Sequence, residues 1–199
     1  MKYSYTQWAL FKTCPFAYHA KYVDKVVPYV QSDAALEGTR IHERLERYIQ
    51  GETAEIPGEV HESWFEDLKD LRDSKPKSEL KVENDIAIGY IDAYSEQNHL
   101  IVDFKTGTPR VYDLIKRQQL SFYVWLLHVE GPVRGELWWV QHPKKSSVFS
   151  GVWTFNKSLD DSWRKRLEKL KSGNMTQCPG WFCSYCGVEA CEHHKTSDT

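Results

Sequence analysis

Apolar positions recur along the chain with two periods, and the switches between them lay out its elements. Between residues 4 and 22, Trp8, Phe11 and Phe16 fall among the apolar positions of a helical segment, with Pro15 as a break or a first-turn residue. Over 33–50, Ile41, Leu45, Tyr48 and Ile49 follow i, i+4, i+7, i+8, which predicts a helix with one buried stripe. Ser32 or Asp33 can cap its start, and Gly51 ends it. Gly38, His42 and Glu46 form a second stripe at i, i+4 spacing. A charged helix is predicted over 61–73, after a loop holding Pro57 and Gly58. The pattern then changes to strands near 78–83, 86–94 and 99–105, an antiparallel meander whose second turn is Ser95-Glu96-Gln97-Asn98. A helix follows over 112–129, closed by Gly131-Pro132, and then strands near 134–141 and 147–155. Trp138-Trp139-Val140 reads as a stretch buried on both faces. A last helix opens at Ser158-Leu159-Asp160-Asp161 and carries Arg164, Lys165, Arg166, Lys169 and Lys171. The order predicts an α/β (α+β) sheet with helices on its faces. No Pro- or Gly-rich linker divides residues 1–199, so a single domain is expected, with the Cys14 region and 175–193 joined as a small subdomain.

Composition narrows the class. The chain has 199 residues, 41% apolar and 27% charged, which is the balance of a globular protein with a real core. It holds no apolar run of about 18 residues, and its first residues lack the apolar stretch of a signal peptide. An intracellular, cytoplasmic protein without a membrane span is expected. A net charge of −2 argues against a surface that coats nucleic acid broadly, yet leaves room for a local basic cleft.

The candidate chemistry starts in the meander. With the turn centred on 95–98, Asp92 falls nearly opposite Ile101, and strand alternation puts Asp92, Asp103 and Lys105 on one side of the sheet. Carboxylates gathered on one face repel unless a cation lies between them. Oxygen donors favour a hard ion, Mg²⁺ or Mn²⁺. His42 fits as a side ligand, because Gly38 on the same helix face permits close approach to the sheet. Glu79 or Glu83 can add a further carboxylate. Lys105 beside the ion can hold a water or a phosphate as a compact point charge. Against this stand plainer readings, in which Asp-x-Lys is a solvated strand face and a helical His is a satisfied core residue.

The ordered set Gly38-x-x-x-His42, Gly89-x-x-Asp92, Asp103-x-Lys105 and Gln119-x-x-x-Tyr123 outweighs those readings. It resembles the RecB-like branch of the PD-(D/E)XK nucleases, which includes the CRISPR-associated exonucleases and the nuclease domain of the AddB subunit. The resemblance spans roughly residues 4 to 191. It implies a restriction-endonuclease-like mixed sheet. It also implies metal ligation by His42, Asp92, Asp103 and the Phe104 backbone carbonyl, catalysis by Lys105 with Asp92 and Asp103, and substrate contact through Gln119 and Tyr123.

Five cysteines in a chain of this kind point to metal or redox chemistry rather than disulfides. Cys183 and Cys186 form a C-x-x-C followed by Cys191. The fourth ligand is open between Cys14 and Cys178, with His193 and His194 behind them, and four thiolates suit iron–sulfur or zinc about equally. The iron–sulfur members of the resembled family pair one N-terminal Cys, followed by Pro, with three near the C-terminus. The resemblance therefore implies a [4Fe-4S] cluster on Cys14, Cys183, Cys186 and Cys191. A short gap between Cys186 and Cys191 and the extra Cys178 depart from that pattern. The function expected is a metal-dependent DNA exonuclease acting on single-stranded or end-frayed DNA in recombination, repair or processing, in a bacterial cell or a phage-infected host. An inert nucleic-acid-binding module and a zinc-binding adaptor are the rivals.

Overall fold

Ser4 opens the first helix by a reciprocal exchange. Its hydroxyl accepts the Gln7 N–H at 3.3 Å, and the Gln7 side chain accepts the Ser4 N–H at 2.8 Å. In the computed structural model, which describes residues 2–28, 32–109, 114–180, 182–183 and 186–193, this helix is α1 (Tyr5–Thr13). The helix expected over 4–22 is interrupted at Cys14, which is extended (φ −155°, ψ 105°), as the residue before a proline tends to be. Pro15 then supplies the first residue of α2 (Pro15–Tyr18), and a π-helical turn, His19–Val23, follows. Ser32 caps α3 (Asp33–Ile49), accepting the Ala35 N–H at 3.2 Å. Beyond α3 the chain reverses through Gly51 at φ 79°. A 3₁₀ turn, Glu62–Trp64, leads into α4 (Phe65–Asp73).

Five strands make one mixed sheet in sequence order: β1 (Lys77–Glu83), β2 (Ile88–Ser95), β3 (Leu100–Lys105), β4 (Pro132–Trp139) and β5 (Val148–Thr154). All neighbours are antiparallel except β3 and β4, which run parallel and are connected through α5 (Leu114–Leu127). The final helix, α6 (Lys157–Glu168), starts slightly before the expected opening because Asn156 caps it, accepting the Leu159 N–H. The sheet flanked by helices is the α/β arrangement expected. Among the described residues no helix is long and apolar enough to cross a membrane.

The core has two layers. On one face α5 packs with α1 and α6 around Trp8, Phe122, Trp125 and Trp163. On the other, Ile41, Leu45 and Ile49 of α3 pack with Trp64, Leu68, Phe104 and Trp138. Trp139 belongs to the first layer while Trp138 and Val140 belong to the second, so this stretch is buried on both faces, as its sequence predicts.

The hairpin register differs from the sequence reading. Tyr94, not Asp92, lies opposite Ile101, because the reversal is centred one residue later and Ser95 still pairs with Leu100. Ladder pairing between β2 and β3 stops at Ala93 and Val102. Beside this point the β1–β2 ladder skips Glu79, which sits at φ 44°. The burial pattern changes side there: Leu80, Val82 and Ile91 pack with the α5 layer, whereas Ala93 packs with the α3 layer. Simple alternation therefore does not carry through Asp92.

Trp163 is fully buried against Tyr5, Trp8, Phe122 and Trp125. Trp163→Ala is expected to lower the unfolding free energy by about 3–5 kcal/mol, read as a lower urea midpoint at unchanged slope.

Candidate active site

The polar centre lies where β2 leaves β3. Asp92 sends its carboxylate toward the gap and accepts the Phe104 N–H at 2.7 Å, which replaces a ladder partner. Its Oδ2 is also 3.5 Å from Nδ1 of His42 on α3. Glu79 comes from β1 across the skipped ladder position. Ligating atoms of His42, Glu79 and Asp92 all lie within 4.8 Å of one another. Of the two glutamates considered on β1, Glu79 is the one at the site. Glu83 instead pairs with Lys2 and Lys81 at the surface.

Asp103 and Lys105 project toward the α5 layer and pair with each other, Asp103 being nearly inaccessible. The Lys105 ammonium also donates to Gln119 Oε1 at 3.0 Å, and Gln119 Nε2 donates to the Tyr123 hydroxyl at 2.7 Å. Asp103, Lys105, Gln119 and Tyr123 thus form one connected chain from strand to helix. Two glycines set the spacing. A Cβ on Gly38 would stand 2.9 Å from Thr106 Oγ1, so glycine lets α3 and His42 approach the end of β3. A Cβ on Gly89 would stand 3.1 Å from the Tyr123 ring and 3.3 Å from Leu126, so glycine lets α5 settle onto β2.

The electrostatics follow from this crowding. Burial, and then the Asp103 charge, hold the Asp92 carboxyl well above the usual carboxylate range, against the pull of Lys105 and the Phe104 N–H. Burial, Glu46 and Asp103 push Glu79 the same way. Burial lowers the His42 imidazole, opposed chiefly by Asp103, and a hydrogen bond to the Phe104 backbone also favours its charged form, as donation to the carbonyl does. Burial and both aspartates raise the Tyr123 phenol far above its ordinary value. The donor set of one imidazole, carboxylates and a nearby carbonyl fits a hard divalent cation, which would relieve the repulsion that shifts these groups.

The structure gathers the ligating atoms of His42 and Asp92 with Glu79, while Asp103, expected as a further ligand, pairs with Lys105 and leads on to Gln119 and Tyr123; the Phe104 N–H joins the two groups through Asp92. Glu46 is the contributor that the sequence reading left without a role. It stands one turn beyond His42 on the same stripe, accepts from Gln50 and Ser78, and acts on Glu79. Its i+4 spacing was the available signal. Arg164 on the basic helix is committed elsewhere: its guanidinium donates two bonds to Asp85 and also binds Asp160.

The cysteines also converge. Cys14, Cys178, Cys183, Cys186 and Cys191 line one apolar pocket with Phe16, Phe182, Val188 and His193. All five are free thiols, so the donor set is of the kind that iron–sulfur or zinc takes. His194 lies outside the described residues.

Carboxylates held together without a counter-ion cost stability. Without metal, Asp92→Asn is expected to raise the unfolding free energy by about 0.5–2 kcal/mol, since an amide keeps an acceptor for the Phe104 N–H. With Mn²⁺ added, thermal unfolding should rise more for the wild type than for the variant. A variant less stable than wild type in EDTA would refute the repulsion.

The model of the PD-(D/E)XK nuclease superfamily matches residues 2–99 and 87–191. No curated protein sequence matches the chain. Among solved structures, that of SSO0001 superposes with a TM-score of 0.63 at 17% identity, over 98% of this chain and 88% of that one. LHK-Exo, solved in complex with dAMP, gives 0.49 at 12% identity over 86% of each chain. A phage-related exonuclease from Haemophilus somnus 129PT gives 0.35 at 15% identity, over 71% of this chain and 81% of that one. The likeness to SSO0001 is one of fold, and nucleases of the matched superfamily use divalent metals. With the family match running over nearly the whole chain, this protein belongs to the PD-(D/E)XK nuclease superfamily.

Proposed function

We propose that this chain is a RecB-like, divalent-metal-dependent deoxyribonuclease that removes nucleotides from single-stranded or frayed DNA ends during recombination, repair or processing in the cytoplasm. The observation that carries the reading is the meeting of His42, Glu79 and Asp92 within 4.8 Å beside the connected chain from Asp103 to Tyr123. His42, Asp92, Asp103 and the Phe104 carbonyl would hold Mg²⁺ or Mn²⁺, with Glu79 adjacent. When bound, such an ion supplies a Lewis acid that acidifies water and neutralises charge on a phosphodiester. Lys105, already oriented by Asp103 and Gln119, places a positive charge where the attacking water or the scissile phosphate must sit. Gln119 fixes the Lys105 ammonium, and with Tyr123 it forms the wall that the nucleic acid meets.

The cysteine pocket supports a second element of the reading: a [4Fe-4S] cluster on Cys14, Cys183, Cys186 and Cys191 that joins the two ends of the domain. Cys178 and His193 line the same pocket, which favours zinc as the alternative occupant.

Asp103→Ala and Lys105→Ala should each lose about 10²–10³-fold in cleavage rate of end-labelled single strands in Mg²⁺ or Mn²⁺, with the wild-type circular dichroism spectrum kept. Equal digestion by wild type and variants would sink the site assignment, and an inactive wild type that still binds DNA would favour the non-catalytic module. Protein purified without oxygen should be brown and contain iron, and Cys183→Ala should lose both. A colourless protein with stoichiometric zinc would replace the cluster with the zinc alternative.

A further inference from the structure

A second polar surface lies beside α5. A groove of about 510 Å³ runs between α1, α6 and the 174–178 segment, lined by Lys12, Arg166 and Lys169 with Gln118, Asn174 and Thr176. No carboxylate is among its described lining residues, although the chain carries 28 Asp and Glu against 26 Lys and Arg. Within 4 Å of the Lys12 and Lys169 ammonium groups there is no carboxylate of the described residues, so no ion pair among those residues neutralises either charge. Arg166 is held in place. Its guanidinium lies over the Trp163 ring at 4.7 Å and the Trp8 ring at 5.6 Å, and donates to Gln118 Oε1 at 2.6 Å.

Gln118 directly precedes Gln119, the residue that touches Lys105, so groove and active site occupy adjoining faces of one helix. The far wall is fixed too: the Phe16 N–H donates to the Thr176 carbonyl at 3.2 Å, and Cys178 lines both this groove and the cysteine pocket. We propose that this groove carries the sugar–phosphate backbone of a single-stranded DNA substrate leading to or from the active site, an inference that rests on the nuclease reading above. Three cations lining one groove with neutral polar side chains suit a polyanion, and a volume of about 510 Å³ exceeds what one phosphate needs. A narrow cationic track also fits a chain whose net charge is −2, which has little basic surface to spread over a duplex.

The test is binding of a fluorescein-labelled single-stranded oligonucleotide, followed by anisotropy across a salt series with Ca²⁺ in place of Mg²⁺. Wild type is compared with Lys12→Gln/Lys169→Gln and with Lys77→Gln/Lys81→Gln on the edge strand, whose ammonium groups are paired with Glu96 and Glu83. Removing Lys12 and Lys169 should weaken binding about ten-fold or more at low salt. It should also flatten the slope of log K against log salt by about 0.7 per lost contact, so about 1.4 for the pair. The edge-strand variant should keep both values. A Lys12/Lys169 variant that matches a DNA-binding wild type in affinity and slope overturns the groove while leaving the nuclease reading intact. Equal losses in both variants overturn it as well, by reducing the effect to overall charge. A wild type that binds no strand overturns both readings.

Discussion

Asp92 accepts the Phe104 N–H at the position where β2 and β3 cease to pair, and much of the site depends on that bond. A strand that leaves its neighbour exposes main-chain donors, which are costly when buried and unpaired. Here a carboxyl oxygen of Asp92 fills the role, so the sheet can open without losing a hydrogen bond. The opening lets His42 of α3 and Glu79 of β1 reach the same carboxylate. The bond also favours the ionised form of a group whose surroundings otherwise disfavour it, since burial and Asp103 both push its carboxyl up. One contact therefore serves the fold and keeps a ligand-type oxygen available.

The two halves of the site are tied to opposite layers of the core. His42 belongs to the helix that buries Ile41, Leu45 and Ile49, while Gln119 and Tyr123 belong to the helix that buries Leu120, Phe122 and Trp125. Glycine permits both approaches, Gly38 against Thr106 and Gly89 against Tyr123. A methyl group at Gly38 would press a polar hydroxyl, and one at Gly89 would press packed side chains. Both would move ligand or lysine geometry by tenths of an ångström, on a scale where metal and phosphate contacts are sensitive.

Much of this was legible in the sequence because it rests on local periodicity and ordered spacing. The stripe from Ile41 to Ile49 and the doubly buried Trp138–Val140 stretch follow from residue types at fixed intervals, while the set His42, Asp92, Asp103, Lys105, Gln119 and Tyr123 is picked out by the resemblance that its ordered motifs carry. The hairpin register did not follow, because Ser95 is a common turn residue yet here extends the ladder opposite Leu100. Nor did the turning of Asp92 into the gap, since it depends on Glu79 adopting φ 44° and on β1 losing a pairing position, neither of which alternation encodes. Arg164 looked equivalent to its basic neighbours; Asp160, one turn earlier, binds it within the helix, and its two further bonds to Asp85, 79 positions away, come from tertiary placement that spacing does not encode.

The cysteine pocket and the cationic groove share a wall, and this links the ends of the chain to the surface beside the site. Cys14 is extended because Pro15 follows it, which turns its thiol away from the helix path and toward the segment from Cys178 to Cys191. The same turn leaves the Phe16 N–H free to hold Thr176, a groove residue. Bringing position 14 to position 183 closes a loop of most of the 199 residues, an arrangement whose entropic cost grows only slowly with length. A group bound by the thiols would thus act at a distance from hydrolysis, by fixing the segment that faces Lys12, Arg166 and Lys169. Cys14 and Cys178, far from Asp92 in sequence, meet beside the groove lined by Lys12, Arg166 and Lys169, while the opening between β2 and β3 holds the polar centre.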